Sequence, residues 1–323
     1  MMSMKSTLLN AVRAGGLATV AERASAASLR ILGYHGVWIT PGYQFGDCAF
    51  ITPDQFEARM ARLSRSGLPV LPLDEAVNLL ATDSLPDSSV VITIDDGWAT
   101  THTHMLPVLE AYGLPATLYA STWYCEHQLP VVNVVVDYLT RAAGRDDAER
   151  IIAAARIEAL PVDDRLPALR ALGATLGIDE AWLELRQFHN MTAADLADAH
   201  ARGLDIQLHT HRHIDVATRV DELAAEIAAN RAYLAKAIGT DPGFAHFCYP
   251  GGGYHPDADQ LLAAVGVRSA TLIEEGINPP GTNPYALCRL LDGRTIDDAV
   301  FDAYLSGTLH YLSALRTLPF PSR

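Results

Sequence analysis

The chain has 323 residues, of which 49% are hydrophobic, so it can bury the core of one α/β domain with an insertion or of two small domains. Its 24 Lys and Arg residues against 38 Asp and Glu residues give a formal net charge of −14. A chain this acidic repels nucleic acid and anionic membrane surfaces, so we expect neither as a partner.

The N-terminal residues 1–28 are predicted to form a helical segment. Residues 1–20 faintly resemble a secretion signal, which stays open as an alternative. However, Arg13 interrupts the first apolar run and no small-residue cleavage site follows it cleanly, so an amphipathic helix is favoured. No window approaches the ~18–20 unbroken apolar residues that a membrane span requires. We therefore expect a cytoplasmic protein without a transmembrane span.

The cysteines are scattered along the chain and form no CxxC pair. In a chain of this length, that pattern favours buried thiols over a disulfide framework, which stays open as an alternative. Buried thiols fit a reducing compartment. The cysteines are Cys48, Cys125, Cys248 and Cys288.

Short apolar runs that end at polar, glycine or histidine residues predict buried strands. The strands are expected at residues 29–34, 89–94, 116–120 and 205–208, and again near 244–249 and 269–273. Helical patterns lie at residues 53–65 behind the N-cap Thr52, at 101–112 before Gly113, at 222–238 before Gly239, and in a closing helix at 299–315. This alternation predicts an α/β fold with parallel crossovers.

Between residues 131 and 201 the pattern changes. The stretch is rich in Ala, Arg and Asp, has helical periodicity, and is followed by a convincing strand only from Asp205 onward. We interpret it as a mainly helical insertion between two strands of the sheet.

Asp95 and Asp96 are the first candidate site residues, and they directly follow the strand expected at residues 89–94. Adjacent buried carboxylates raise each other's pKa, unless a cation lies beside them. One carboxylate can then bind the metal while the other acts as a base, and Gly97 allows the sharp turn that presents both. Asp-Asp-Gly is also a common turn sequence, so this motif alone leaves both interpretations open.

His209 and His213 form the second motif, again after a predicted strand. Their i, i+4 spacing would place them on one face of a helical turn, an arrangement suited to one metal ion. Thr210 is expected to cap that turn or to orient a ligand, and His211 to be exposed on the opposite side. A lone histidine is usually structural, but this pair accompanies a strand-terminal Asp-Asp-Gly.

Three consecutive glycines, residues 251–253, follow the strand expected near residues 244–249. Glycines let the backbone approach a ligand closely, and their N–H groups can face a developing oxyanion. Taken alone, the segment is better explained as a flexible hairpin loop.

In their order, the three motifs resemble those of the polysaccharide deacetylases, metal-dependent carbohydrate esterases with a NodB-homology domain. That family has a strand-terminal T-F-D-D-G, a later H-[ST]-x-x-H and then an R-x-P-[YF]-G-like loop. The chain has TIDDG at residues 93–97, HTHRH at 209–213 and CYPGG at 248–252. The resemblance covers about residues 29–124 and 203–295 and includes LGYHGV at 32–37.

The resemblance implies a distorted (β/α) barrel over residues 29–323, with the helical insertion at about 131–201. It assigns Asp96, His209 and His213 as ligands of one divalent ion and Asp95 as the general base. By position, the Gly251 backbone N–H would help to hold the oxyanion. Two histidines and a carboxylate suit Zn²⁺ and also admit Co²⁺, Ni²⁺ or Fe²⁺.

The reaction that the resemblance implies is hydrolysis of N-acetyl or other acyl groups on an amino sugar, a polysaccharide or a glycan precursor. A cytoplasmic enzyme of this kind would meet nucleotide- or lipid-linked sugar precursors. Two other functions stay open. One is a small-molecule amide or formamide hydrolase on the same fold, and the other is a catalytically silent sugar-binding protein, which the intact motifs disfavour.

The third motif of this chain lacks the arginine that usually pairs with the base Asp. That motif usually begins with an Arg that pairs with the base Asp, and here Cys248 occupies the position. Arg289 resembles a proline-arginine element that some members carry late in the chain. We hypothesise that Arg289 orients Asp95 instead.

Two further departures concern the sugar site and the general acid. Gly251 replaces the usual aromatic residue, which leaves one wall of the sugar site unassigned. The late L-x-H that often supplies the general acid is not clear in this chain. Leu309-His310, His35 and His255 stay open as candidates for the acid.

Overall fold

A computed structural model of the chain describes residues 17–40, 45 and 50–317. Seven parallel strands form one curled sheet, in the order β8-β7-β6-β5-β4-β1-β9, and β2 and β3 pair separately. The sheet and its helices form a (β/α) half-barrel. The strands are β1 Arg30–Tyr34, β2 Gly36–Val37, β3 Phe50–Ile51, β4 Val90–Ile94, β5 Thr117–Ala120, β6 Asp205–Leu208, β7 His246–Cys248, β8 Ser269–Thr271 and β9 Leu290–Leu291.

The six strands expected from the sequence are confirmed as β1 and β4 to β8. The sequence analysis missed β2, β3 and β9, each of which is two residues long. A strand that short has no alternating pattern to detect, and its pairing depends on distant neighbours.

Helices cover the sheet and form a separate lobe between β5 and β6. They are α1 Leu17–Ala24, α2 Pro53–Arg65, α3 Leu73–Ala81, α4 Leu106–Tyr112, α5 Trp123–His127, α6 Val132–Ala142, α7 Asp147–Glu158, α8 Val162–Thr175, α9 Ala181–Glu184, α10 Ala193–Ala201, α11 Leu223–Ile238, α12 Ala258–Ala264, α13 Asp298–Leu305 and α14 Thr308–Thr317. In the part of the chain that the structure describes, no helix combines the length and apolarity needed to cross a membrane.

The expected helix ends are confirmed at several points. The Thr52 hydroxyl accepts a hydrogen bond from the Gln55 amide at 3.2 Å and caps α2. Gly113 and Gly239 end α4 and α11 with φ of 62° and 75°, the left-handed conformation that glycine adopts without strain. The first residues of the helix expected at 101–112 form a π-helical turn, Thr101–Met105.

The prediction of one closing helix over residues 299–315 is wrong. The segment is divided into α13 and α14 at Gly307, whose φ is 72°. Left-handed backbone at this position ends one helix before the next begins. The N-terminal helix expected within residues 1–28 is described only from Leu17 onward, and residues 1–16 lie outside the described part of the chain.

The segment from Leu287 to Leu291 connects the two edges of the sheet. Leu287 pairs with Thr271 of β8, and its amide donates to the Ala270 carbonyl at 2.9 Å. Three residues later, Leu290 pairs in parallel with Leu32 of β1. The sheet therefore curls far enough for one short stretch of chain to bridge its edges, and Arg289 lies in the middle of that stretch.

Alternate residues along the strands face opposite sides of the sheet, as pleating requires. Ile31, Val91, Tyr119 and Cys248 pack inside the barrel in one cluster with the apolar face of α3. Their strand neighbours pack outside, against the surrounding helices, in the main core. Asp95 and His209 continue the inward-facing rows beyond β4 and β6, at the carboxyl end of the barrel.

The helical lobe has its own core. Buried side chains of α6 to α9 form a cluster that includes Trp182 and Phe188 and extends to Trp98 and Phe50 beside the barrel. The last helix of the expected insertion, α10, contributes Leu196 and Ala199 to the main barrel core instead. Residues 121–204, all of which the structure describes, contain helices and loops without a strand.

Three of the four cysteines lie in the described residues, and all three are thiols. Cys125 and Cys248 are buried, as expected, whereas Cys288 is half-buried. Burial raises the pKa of the Cys125 thiol to about 12, so this group stays protonated at neutral pH. Cys48 lies outside the described residues.

Candidate active site

The candidate residues meet at the carboxyl end of the barrel, where parallel strands commonly present functional side chains. Asp95 and Asp96 follow β4, and His209 begins the loop that follows β6. A short 3₁₀ turn after β7, Pro250–Gly252, lies on the same rim. All of the sequence-predicted residues of the two metal motifs are therefore brought to one place.

Asp96, His209 and His213 form a compact set of groups that could hold a metal ion. Oδ1 of Asp96 lies 3.2 Å from Nε2 of His209 and 3.2 Å from Nε2 of His213. One ligand atom from each of the three residues lies within 4.8 Å of the others. Two imidazole nitrogens and a carboxylate oxygen that converge in this way fit a single divalent ion with coordination positions left open.

The three side chains differ in how exposed they are to solvent. The side chain of His209 is 2% exposed, that of Asp96 is 18% exposed and that of His213 is 42% exposed. Nδ1 of His209 lies 2.8 Å from the Cys248 carbonyl oxygen, to which it can donate. That contact leaves Nε2, which faces Asp96, as the nitrogen that could bind a metal.

The helical turn expected at His209 to His213 is not present. The segment is a loop in which Thr210 and His213 have φ of 59° and 56°. The Thr210 hydroxyl accepts from the Ile214 amide at 3.2 Å, and this contact stabilises the loop. Positive φ values bring the two imidazoles together without a helix. The two histidines therefore meet as expected, but in a loop and not on a helical turn. His211, expected to be exposed, is half-buried, and its Nδ1 lies 2.9 Å from the Thr122 hydroxyl.

Asp96 also has left-handed backbone, with φ of 70°, and Gly97 follows with φ of 86°. Asp tolerates this region better than most residues, and two such residues in succession turn the chain sharply after β4. Burial alone would raise the pKa of the Asp96 carboxyl, but hydrogen bonds to the two histidines outweigh it and hold the pKa well below its usual range. The carboxylate is therefore ionised and suited to a cation.

Asp95 lies beside this set and is paired with Arg289. The guanidinium donates from Nη1 to Oδ1 and from Nη2 to Oδ2 of the carboxylate, each at 2.8 Å. Both side chains are almost completely buried. Burial would raise the pKa of Asp95, but the charge and hydrogen bonds of Arg289 outweigh it, so the pKa is lowered and the carboxylate is ionised.

Cys248 occupies the space where an Arg of the third motif would be expected. Its Sγ lies 3.6 Å from Oδ2 of Asp95 and 3.1 Å from Nη2 of Arg289. The Arg289 Nε also donates to the Leu272 carbonyl at 2.7 Å, which fixes the guanidinium plane. The charge partner of Asp95 thus comes from the segment that bridges the edges of the sheet.

Of the three histidines considered as general acid, His35 is the one in the site. Its Nε2 lies 3.9 Å from Oδ2 of Asp95. The Thr101 hydroxyl donates to the His35 carbonyl at 3.2 Å and fixes the backbone there. His310 is exposed on α14 and His255 is half-buried beyond the glycine turn, and neither lines the cavity described next.

A cavity of about 740 Å³ opens above these residues, between the barrel rim and the helical lobe. Gly251 lines it in the left-handed conformation, with φ of 60°, and a Cβ added there would meet no atom within 4 Å. The aromatic wall that Gly251 does not supply comes from elsewhere in the chain. Its aromatic members are Phe45, Phe50, Trp98, Trp123 and Tyr124.

The sequence analysis missed the residues that the helical lobe places in the site. Glu158 and Arg165, at the end of α7 and in α8, line the cavity, as does Asn190 near the end of the lobe. These residues lie about 60 to 95 positions after the Asp-Asp-Gly motif and about 20 to 50 positions before His209, and no spacing rule links them to either motif. Trp98 is different, because it directly follows the TIDDG motif and was detectable as its neighbour.

The family model and the curated relative that match this chain both point to one protein family. A sequence model of the family described as polysaccharide deacetylase matches residues 82–270. Over 94 residues the chain is 34% identical to YxkH of Bacillus subtilis (strain 168), whose name places it among the polysaccharide deacetylases. That match covers 29% of this chain and only 32% of YxkH, so it spans about a third of that relative.

Solved structures show a similar fold. The deacetylase PplD of Streptococcus pyogenes, in complex with acetate, aligns with a TM-score of 0.57 and 18% identity over 82% of this chain and 92% of its own. IcaB from Ammonifex degensii aligns with a TM-score of 0.58 and 20% identity over 86% of this chain and 97% of its own. At these identities the likeness establishes the fold alone.

Proposed function

Because this chain belongs to the polysaccharide deacetylase family, we propose that it is a metal-dependent hydrolase that removes N-acetyl or other N-acyl groups from an amino sugar. The substrate would be a polysaccharide or a glycan precursor. The observation that carries the proposal is the convergence of Asp96, His209 and His213 beside the ionised Asp95 in one cavity.

Asp96, His209 and His213 would hold the divalent ion, with Zn²⁺ as the best fit and Co²⁺, Ni²⁺ or Fe²⁺ as alternatives. When bound, such an ion lowers the pKa of water and polarises the acyl carbonyl. Asp96 and His209 are oriented for this role by hydrogen bonds at their other polar atoms. Trp98 donates to Asp96, and His209 can donate to the Cys248 carbonyl. The remaining steps depend on groups of the chain itself.

Asp95 is proposed as the general base that accepts the proton of the attacking water. Arg289 keeps it ionised and fixes both of its oxygens, so it is a positioned acceptor at neutral pH. As the water adds to the acyl carbonyl, negative charge develops on the carbonyl oxygen. The backbone N–H of Gly251, which lines the same cavity, is proposed to donate to that oxygen.

His35 is proposed as the general acid that protonates the leaving amine nitrogen. We expect His35→Gln to lower kcat for an acetamido sugar by about 10²-fold, in the range of one lost acid–base group. An aryl acetate has a leaving group that needs no proton, so its hydrolysis should fall far less. Parallel kinetics on the two substrates measure the difference.

The matched controls for His35→Gln are His255→Gln and His310→Gln, which change the two histidines outside the cavity. Both should retain wild-type kcat on the acetamido sugar. Equal losses of His35→Gln on the sugar and on the aryl acetate would exclude His35 as the acid.

The proposed function is tested by a metal-resolved acetate-release assay. Purified protein is stripped with a chelator, reloaded with Zn²⁺, Co²⁺ or Ni²⁺, and offered N-acetylated chitooligosaccharides or acetylated nucleotide sugars. We expect acetate release that disappears on stripping and returns with at least one metal. The better substrate class would then indicate whether a polymer or a precursor is used.

Two results would count against the proposal. Metal binding at one equivalent without acetate release from any sugar would direct the search to small amides and formamides. A folded protein that binds no divalent metal would contradict the proposal altogether.

A further inference from the structure

The two oxygens of Asp96 have different partners. Oδ1 faces Nε2 of both histidines, as described above. Oδ2 accepts a hydrogen bond from the indole Nε1 of Trp98 at 2.9 Å. A carboxylate held at one oxygen can rotate little, so its other oxygen stays directed at the point where the two imidazoles converge.

Trp98 is itself fixed by the helical lobe. It is 4% exposed and belongs to the core cluster of that lobe, with its ring 5.1 Å from the ring of Phe50. Trp98 also pairs with Asn190 in an isolated antiparallel bridge. Trp98 therefore contacts the lobe with its side chain, in the core cluster, and with its backbone, at Asn190.

The backbone around Asp96 is tied to the same end of the lobe. The Ala99 amide donates to the His189 carbonyl and the Met191 amide donates to the Gly97 carbonyl, each at 2.8 Å. The Asn190 side-chain amide donates to the carbonyl of Asp96 at 2.7 Å. These bonds join the loop that carries Asp96 to residues ninety or more positions later in the chain.

We propose that Trp98 is a positioning residue for metal binding, and that the helical lobe sets the metal affinity of the site by holding Trp98 and the backbone of Asp96. The inference rests on the metal site of the proposed function. It gives the insertion a role in the metal centre in addition to forming a wall of the cavity. Loss of an outer hydrogen bond to a metal ligand typically weakens metal binding by about 10- to 100-fold.

The test is Trp98→Phe, which keeps an aromatic ring in the core but removes the N–H donor. The matched control is Trp182→Phe. Trp182 is 2% exposed in the same cluster, and its indole N–H has no hydrogen-bond partner among the residues that the structure describes. Both changes remove similar packing, and only the first removes a contact with Asp96.

Affinities for Zn²⁺ and Co²⁺ are measured by competition with a chromophoric chelator, and the Co²⁺ absorption spectrum reports the coordination geometry. We expect Trp98→Phe to bind both ions about 10- to 100-fold more weakly than wild type, with an altered Co²⁺ spectrum. Trp182→Phe should match wild type in both, and the two metal-free variants should unfold at similar temperatures. A Trp98→Phe protein with the affinity of Trp182→Phe would overturn the inference.

If Trp98→Phe does not fold, the inference can still be tested on the wild-type protein. The ¹⁵N-labelled indole resonance of Trp98 can be assigned by elimination, from spectra of Trp38→Phe, Trp123→Phe and Trp182→Phe. Addition of Zn²⁺ should shift the Trp98 resonance and leave that of Trp182 in place. A Trp98 resonance that does not shift when the metal binds would overturn the inference.

Failure of the inference and failure of the proposed function give different results. Wild-type protein that binds metal and releases acetate, together with a Trp98→Phe protein of equal affinity, overturns the inference alone. Wild-type protein that binds no metal overturns both.

Discussion

Asp95→Asn should lower kcat for acetate release by about 10²- to 10⁴-fold, the contribution expected of a positioned general base. Asn has the size of Asp and can still accept a hydrogen bond from Arg289, but it cannot take a proton from water. Asp95 is not among the three converging metal donors, so metal content should stay at one equivalent. Steady-state kinetics and metal analysis of the same preparation measure both expectations.

The control for this variant is Asp257→Asn, which changes a carboxylate whose side chain is 79% exposed beyond the glycine turn. It should leave kcat unchanged. An Asp95→Asn enzyme within tenfold of wild type would show that another group accepts the proton. Loss of metal from Asp95→Asn would instead assign Asp95 to the coordination of the ion.

Arg289→Met should destabilise the metal-free protein by about 3–5 kcal/mol, the usual cost of breaking a buried ion pair. The change leaves the Asp95 carboxylate buried without its cation and removes the hydrogen bond to the Leu272 carbonyl. The double variant Asp95→Asn with Arg289→Met removes both charges. It should therefore be more stable than Arg289→Met alone, whereas additive effects of the two substitutions would make it less stable.

Urea unfolding of wild type, both single variants and the double variant measures this coupling. The surface control is Arg202→Met, which removes an exposed pair with Glu110 and should cost about 0–1 kcal/mol. If Arg289→Met cost no more than this control, the contact seen with Asp95 would not act as a buried ion pair. A double variant no more stable than Arg289→Met would lead to the same conclusion.

The parts of the site that follow strands were accessible to sequence analysis. Asp95 and His209 each come directly after an apolar run, and parallel strands bring such positions to one end of the sheet. The pairing of Arg289 with Asp95 was reached by a different route, through the loss of Arg at Cys248. That hypothesis depended on the resemblance of Arg289 to a proline-arginine element that some family members carry late in the chain.

The parts that depend on tertiary packing were not accessible. The helical turn expected at His209 failed because Thr210 and His213 adopt left-handed backbone, for which the sequence has no glycine to signal it. The walls of the cavity come from the helical lobe, whose periodicity predicts helices but not the direction in which they pack. Trp98 was visible beside its motif, yet its function depends on Asn190, which meets it only in the folded protein.

The bridging segment at Leu287 to Leu291 has a consequence for the order in which the protein can be completed during synthesis. Until that segment leaves the ribosome, β1 and β8 each keep an unpaired edge, the kind of surface through which partly folded chains aggregate. Arg289 lies on the same segment, so Asp95 is made almost two hundred residues before the arginine that pairs with it. Closure of the sheet and neutralisation of Asp95 therefore both depend on the same late segment of the chain.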